Sequence, residues 1–314
     1  MTPFLQLRAV SRRVGDVQIL DGVTLDVARG GVVGIIGPSG SGKSSLLRVV
    51  AGLDPLSAGS VLVEGRTARP GDGTVGMVFQ QFNLWPHLTA EENVALALRL
   101  ARKQPRATAA DRARAMLDRV GLLRFADRRP AQLSGGQQQR VAIARTLAVE
   151  PRIILFDEPT ASLDPELTTE VLEVIRALAT AGQTMLVVSH EMGFVASVAS
   201  RAVFLDHGRK LVDGPARDVF ARPEEPRLRR FLSTYLERVT WAAPAEPAPA
   251  APPGPPATTM SLLLASREPA AAPATTLSLL NLPAPEPANF ALPDPPTPPP
   301  AFTLLDPPDA PKSP

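Results

Sequence analysis

An α/β fold with a buried, mostly parallel sheet is what this sequence predicts, and three observations predict it. Val32-Val33-Gly34-Ile35-Ile36, Ile153-Ile154-Leu155-Phe156 and Met185-Leu186-Val187-Val188 are apolar without alternation, the pattern of strands covered on both faces. Segments with helical spacing separate them, as crossover connections between parallel strands require. Finally, Gly37-Pro38-Ser39-Gly40-Ser41-Gly42-Lys43-Ser44 follows the first run and leads into Ser45-Leu46-Leu47. Strand, glycine loop and helix in that order make G-x-x-x-x-G-K-[ST] a phosphate-binding P-loop.

The remaining elements follow in order. From Phe4 to Val27 the pattern alternates, with turn signals at Val14-Gly15-Asp16 and Asp21-Gly22, which predicts short antiparallel strands forming a separate β-layer. Ala51 to Pro55 ends the P-loop helix. Gly59 to Glu64 and Thr74 to Phe79 read as strands, the second delivering Gln80. The loop from Gln81 to Thr89 is dense in large apolar groups, so it either docks onto another protein or packs under its own subdomain. Thr89 with Glu92 fits a capping box; helical spacing then runs to Leu100 and again from Ala109 to Val120. A helical subdomain over about 90–150 is expected.

Leu133-Ser134-Gly135-Gly136-Gln137 opens a helix with a hydroxyl and bare backbone amides, a second potential phosphate-binding end. Asp157-Glu158 closes the second apolar run, Leu163-Asp164-Pro165 leads into a helix from Glu166 to Ala179, and the third run delivers His190. Ala202 to Leu205 and Arg209 to Val212 read as a hairpin around Asp206-His207-Gly208, and Ala216 to Val239 as mostly helical. The folded domain is thus placed at 1–240. From Trp241 onward the tail, 241–314, holds 22 of the 35 prolines and is expected to be disordered. Ser261 to Leu264, Leu277 to Leu282 and Phe302 to Leu305 interrupt it as small apolar clusters.

Composition narrows the function classes. Cysteine is absent, which removes disulfides and thiolate metal sites. The net charge of +2 divides into about −4 for the tail and about +6 for the body, a mild excess that favours a solvated surface over nucleic-acid binding. No apolar run reaches spanning length and Met1-Thr2-Pro3-Phe4 lacks signal-peptide character, so a cytoplasmic chain with any membrane role supplied by a partner is expected.

The chemistry-bearing residues converge because ligands of open α/β sheets bind at strand carboxyl ends. Backbone amides from Gly37 to Ser44 and the helix beginning near Ser45 suit anionic oxygens, Lys43 suits terminal phosphates, and Ser44 suits Mg²⁺. Adjacent Asp157 and Glu158 diverge from a strand end. One can stand in the outer shell of Mg²⁺ while the other polarises a water.

This set, Gly37 to Ser44, Gln80, Leu133 to Gln137, Ile153 to Glu158, Asp164 and His190, resembles the nucleotide-binding subunit of an ATP-binding cassette (ABC) transporter over about residues 4–237. Val78 to Thr89 and Ser189 to Phe194 are similar to the polar amino-acid uptake branch. The resemblance implies a P-loop NTPase cassette that binds ATP and Mg²⁺, with Glu158 as catalytic base, His190 at the γ-phosphate and Gln80 linking Mg²⁺ and water to a permease. Ser44, Gln80 and Asp157 would serve the metal. Asp164 would lie at a dimer interface, and Ser134, Gly135, Gly136 and Gln137 would face the nucleotide of the other subunit, a second copy or a homologous ATPase. Implied partners are integral membrane permease subunits and a periplasmic or lipid-anchored solute-binding protein, with no nucleic acid. The implied place is the cytoplasmic face of the inner membrane, peripherally bound.

Two departures stand out. Val14 occupies a position where the family usually stacks an aromatic ring on adenine, which implies weaker ATP affinity, and Thr160-Ala161-Ser162 inverts a common serine–alanine order. Two other classes compete. A soluble cassette acting on DNA or ribosomes is opposed by the short insert and single cassette; a regulatory cassette without transport is kept open by the tail and Val14. A cassette serving a transport system for other substrates is the nearer alternative.

Overall fold

The computed structural model describes residues 3–67 and 73–236. The domain boundary near 240 and the proline-rich tail lie outside the described residues. Ten strands appear among those described: β1 (Leu5–Val14), β2 (Val17–Val27), β3 (Val32–Ile36), β4 (Ala58–Val63), β5 (Arg66–Thr67), β6 (Val75–Val78), β7 (Ile153–Asp157), β8 (Thr184–Val188), β9 (Arg201–Asp206) and β10 (Arg209–Pro215). The helices are α1 (Lys43–Val50), α2 (Ala90–Arg102), α3 (Arg106–Arg119), α4 (Gly135–Ala148), α5 (Pro165–Thr180), α6 (Met192–Val198), α7 (Ala216–Ala221) and α8 (Pro226–Leu236).

The main sheet has the order β10-β9-β3-β8-β7-β6, parallel except for β10. Its unalternating runs still alternate in space, because the pleat turns successive side chains to opposite faces. Val33, Ile35, Ile153, Leu155, Leu186 and Val188 face one core with α1 and the antiparallel β2-β1-β4-β5 layer. Val32, Ile36, Ile154, Phe156, Met185 and Val187 face the other, beneath the helices. Gly34 admits α6 at close range: a Cβ there would stand 2.3 Å from Val195 Cγ1.

Thr89 caps α2 and Glu92 closes the expected box, while α2, α3 and α4 pack together as the helical subdomain. One expected turn is something else. Asp21-Gly22 lies inside β2 as a bulge, since Val10 pairs with Val23 and Arg12 with Leu20, leaving Asp21 and Gly22 opposite Ser11 alone. Its purpose is visible: the freed Asp21 N–H donates to the Gly208 carbonyl in the β9–β10 turn. Helix α6 has no counterpart in the sequence reading, being only seven residues long.

Candidate active site

Because β3, β8, β7 and β6 are parallel neighbours, whatever leaves their carboxyl ends is brought side by side. Those residues are the Gly37–Ser44 loop, His190, the Asp157-Glu158 pair and Gln80. The loop lies close over neighbouring backbone. Gly37 has φ 152° and a Cβ there would meet the Leu205 carbonyl at 2.1 Å; Gly42 has φ 100° and a Cβ would meet the Ile19 carbonyl at 2.9 Å. Both positions therefore require glycine. The β9–β10 turn braces the loop from behind, its Gly208 N–H donating to the Ser41 carbonyl at 3.0 Å.

Lys43 curls back so that Nζ donates to the carbonyls of Gly37 at 2.8 Å and Pro38 at 2.9 Å. Burial pushes its ammonium below the ordinary lysine pKa, while the carboxylates of Glu158 and Asp157 oppose that shift. The Ser41 hydroxyl is buried against Gly37 and has no hydrogen-bond partner among the described residues. A glycine-lined cradle, a cation held inside it and an unpaired hydroxyl suit a polyphosphate.

The Ser44 hydroxyl donates to Asp157 Oδ1 at 2.8 Å, and burial raises the Asp157 carboxyl above its usual range. Beside it Glu158 Oε1 stands 2.8 Å from His190 Nε2. That hydrogen bond, assisted by the charges of His190 and Lys43 and opposed by burial, holds the Glu158 carboxyl below its ordinary pKa. The Glu158 backbone sits in the left-handed region at φ 48°, a strain on the order of 1 kcal/mol. No sequence signal marks this conformation. A cleft of about 490 Å³ opens beside the pair, lined by Glu158, Thr160, Leu163, Thr168, His190 and Glu191.

Gln80 is exposed at the end of β6, its carbonyl 3.5 Å from the Ser162 hydroxyl. Ser45 lies in the first turn of α1, which begins at Lys43, and Asp164 is exposed at the N-terminal cap position of α5. Ser134 and Gln137 satisfy one another in a capping box at the start of α4. Gly135 and Gly136 pack against Phe82, Leu163 and Leu167. At the β1–β2 hairpin Val14 pairs with Val17, and both are exposed, at 54% and 61%.

The apolar loop after Gln80 is organised by two side chains that no sequence motif marks. Asn93, fully buried on α2, accepts the Trp85 N–H at 2.8 Å and reaches the carbonyls of Trp85, Leu88 and Thr89. Arg145 on α4 donates to the carbonyls of Phe82 and Asn83. Asn93 was findable as a polar residue on the apolar face formed by Ala90, Val94 and Leu98; Arg145, on a helix of charged and apolar residues alike, carried no such mark. Phe82, Leu84 and Trp85 are half-buried, so the loop does pack on its own domain.

The chain is similar to known proteins. The family description "ABC transporter" matches residues 20–161. The chain is 46% identical over 239 residues to the glutamate/aspartate import ATP-binding protein GltL of Escherichia coli K12, covering 74% of this chain and 99% of that protein. It is 47% identical over 237 residues to the glutamine transport ATP-binding protein GlnQ of the same strain, covering 73% and 98%. Among solved structures, the dimeric post-hydrolysis ATP-binding cassette MJ0796 bound to ADP and Pi superimposes with TM-score 0.61 at 36% identity, over 68% of this chain and 99% of that one.

Proposed function

The chain belongs to the ATP-binding subunits of ABC transporters, and from that premise we propose that it hydrolyses ATP to energise uptake of polar amino acids through a separate membrane permease. The similar proteins named for glutamate, aspartate and glutamine transport support the substrate class. No helix among the described residues is long and apolar enough to cross a membrane, so attachment would come from the permease subunits at the cytoplasmic face. A solute-binding protein would complete such a system.

The observation that carries the catalytic reading is the Glu158–His190 pair standing beside the Lys43 cradle. In this reading amides from Gly37 to Ser45 and the Lys43 ammonium hold the β- and γ-phosphates. Glu158, kept ionised by His190, orients a water in line with the γ-phosphorus and takes up its proton as the bond to the leaving oxygen breaks. Ser44, Asp157 and Gln80 would hold Mg²⁺; their oxygen donors suit a hard cation that takes its other ligands from phosphate and water. When bound, that ion neutralises charge on the transferred phosphoryl group. Ser134 to Gln137 would close on the nucleotide of a second subunit, with Asp164 at the interface. The similar ATP-binding cassette MJ0796, solved as a dimer bound to ADP and Pi, supports this two-subunit arrangement.

Glu158→Gln is expected to retain ATP binding and form a stable ATP-bound dimer, while turnover falls by about 10²- to 10⁴-fold. Unchanged phosphate release would remove Glu158 from the base role. Affinity capture of the tagged full chain from gently solubilised membranes should recover a permease of the amino-acid uptake type; recovery from the soluble fraction with ribosomes or DNA would overturn the transport reading and leave the ATPase standing.

A further inference from the structure

Helix α4 grips the strand end that carries Gln80. The Gln139 amide, fully buried, donates to the Phe79 carbonyl at 3.2 Å, and the Thr146 hydroxyl lies 3.4 Å from the Met77 carbonyl. Contact is close along the whole run, since a Cβ at Gly76 would stand 2.6 Å from Thr146 Cγ2. Arg145 then takes the two carbonyls beyond Gln80: Nη1 donates to Asn83 at 2.6 Å and Nη2 to Phe82 at 3.1 Å.

The same guanidinium lies over the Trp85 ring, 5.3 Å from its centroid. No acidic side chain pairs with it among the described residues, and burial pushes its pKa down from the ordinary arginine value. Its charge is therefore spent on two backbone oxygens and one aromatic face. The carbonyl of Asn83 is aimed at it by a left-handed backbone, φ 50°, which asparagine tolerates. Gln80 thus stands between two points clamped to one helix, Phe79 on one side and Phe82-Asn83 on the other. The N-terminus of that helix is the Ser134-Gly135 turn.

We propose that Arg145 is a positioning residue for the ATPase reaction, tying Gln80 and the Trp85 loop to α4 so that the Ser134 turn, Gln80 and the loop move as one body. The proposal rests on the reading of Gln80 as a site residue. It differs from a purely structural role in one respect: Arg145 acts through Gln80, so its effect on turnover disappears when Gln80 is already gone. Lysine offers a single nitrogen where arginine offers a planar fork, so it cannot set two separate nitrogens on the two carbonyls and still lay a flat cation over the Trp85 ring.

The test uses the full-length chain carrying Trp241→Phe, which leaves Trp85 the sole tryptophan of the two in the sequence. Arg145→Met is expected to lower kcat about tenfold with KM for ATP within about twofold, because the Lys43 cradle is untouched. Trp85 emission should shift to the red and become more accessible to acrylamide. Arg145→Lys, which keeps the stem and the charge, should fall between the two in both readouts, and serves alone if the methionine variant does not fold. Gln80→Ala should lower kcat while leaving Trp85 emission as in the parent, and Gln80→Ala with Arg145→Met should be no slower than Gln80→Ala. Additive losses, a raised KM in Arg145→Met, or parental kcat in both Arg145 variants would overturn the proposal. Parental kcat in Gln80→Ala alone would instead overturn the reading of Gln80, and with it the route assigned to Arg145.

Discussion

Burial lifts the Asp157 carboxyl above its ordinary pKa even though Ser44 donates to it and the charges of Lys43 and Arg48 favour its ionised form. A carboxyl whose pKa is higher folded than unfolded binds its proton more tightly in the native state. It therefore favours folding below the unfolded pKa, near ~3.9, and works against folding once the pH has risen through the folded value. Without nucleotide, Asp157→Asn should accordingly raise the melting temperature at neutral pH, and the gain should vanish as the pH is taken below the carboxylate range. Thermal melts at several pH values check both the sign and the window. Nucleotide-dependent stabilisation in Mg²⁺ should be lost in the same variant, since the group that burdens the empty chain is the one proposed to serve the metal. Glu158 shows the opposite shift a single residue away, because the hydrogen bond from His190, helped by the charges of His190 and Lys43, outweighs its burial.

At the scale of elements, the segment from Phe82 to Thr89 is an irregular loop held as firmly as a strand. Asn93 does at one end what Arg145 does at the other, meeting backbone groups of the loop such as the Trp85 N–H and the Leu88 carbonyl. Asn93→Ala would leave the Trp85 N–H without its acceptor and the Leu88 carbonyl without its side-chain donor, while the Trp85 and Thr89 carbonyls keep the backbone N–H groups of Leu88 and residue 93. It should cost about 2 kcal/mol in urea unfolding, the penalty of orphaned buried polar groups. The β2 bulge works in the same way: an irregularity at Asp21-Gly22 lets one strand bond the turn that supports the P-loop. Both features read in sequence as simple punctuation, one as a loop and one as a turn. What distinguishes them is a partner far along the chain.

For the whole molecule, parallel strand order assembles the cradle, the Asp157-Glu158 pair, His190 and Gln80 at one edge, while the Ser134 turn is carried by helix α4. If each active site is completed by a second copy, Lys43→Met and Ser134→Arg disable opposite halves of it. Either variant alone should then be inactive. An equal mixture should recover about a quarter of the wild-type sites, since half of the random dimers would hold one intact pair. Phosphate release measured across mixing ratios checks this, and a mixture no more active than its parts would place both motifs in the service of a single chain. At this scale too the chain order of α8 matters: Arg227 pairs with the buried Asp206 at 2.9 Å, joining the last described helix to the turn behind the P-loop.

The candidate site was legible because its chemistry is local. A glycine loop, an acidic pair and a histidine each follow an apolar run directly, so residue type and spacing alone place them at strand ends. The α/β class, the capping box at Thr89 and the helices of the subdomain follow from periodicity in the same way. Tertiary structure alone decided the left-handed turn at Glu158, the bulge at Asp21-Gly22 and the hold of Arg145 and Asn93 on the loop after Gln80. The bulge and the hold of Arg145 depend on a carbonyl or amide contributed from sixty or more positions away, and Asn93 on which backbone groups the loop leaves unpaired. A local pattern shows that a backbone group exists but not which side chain folding will bring to it.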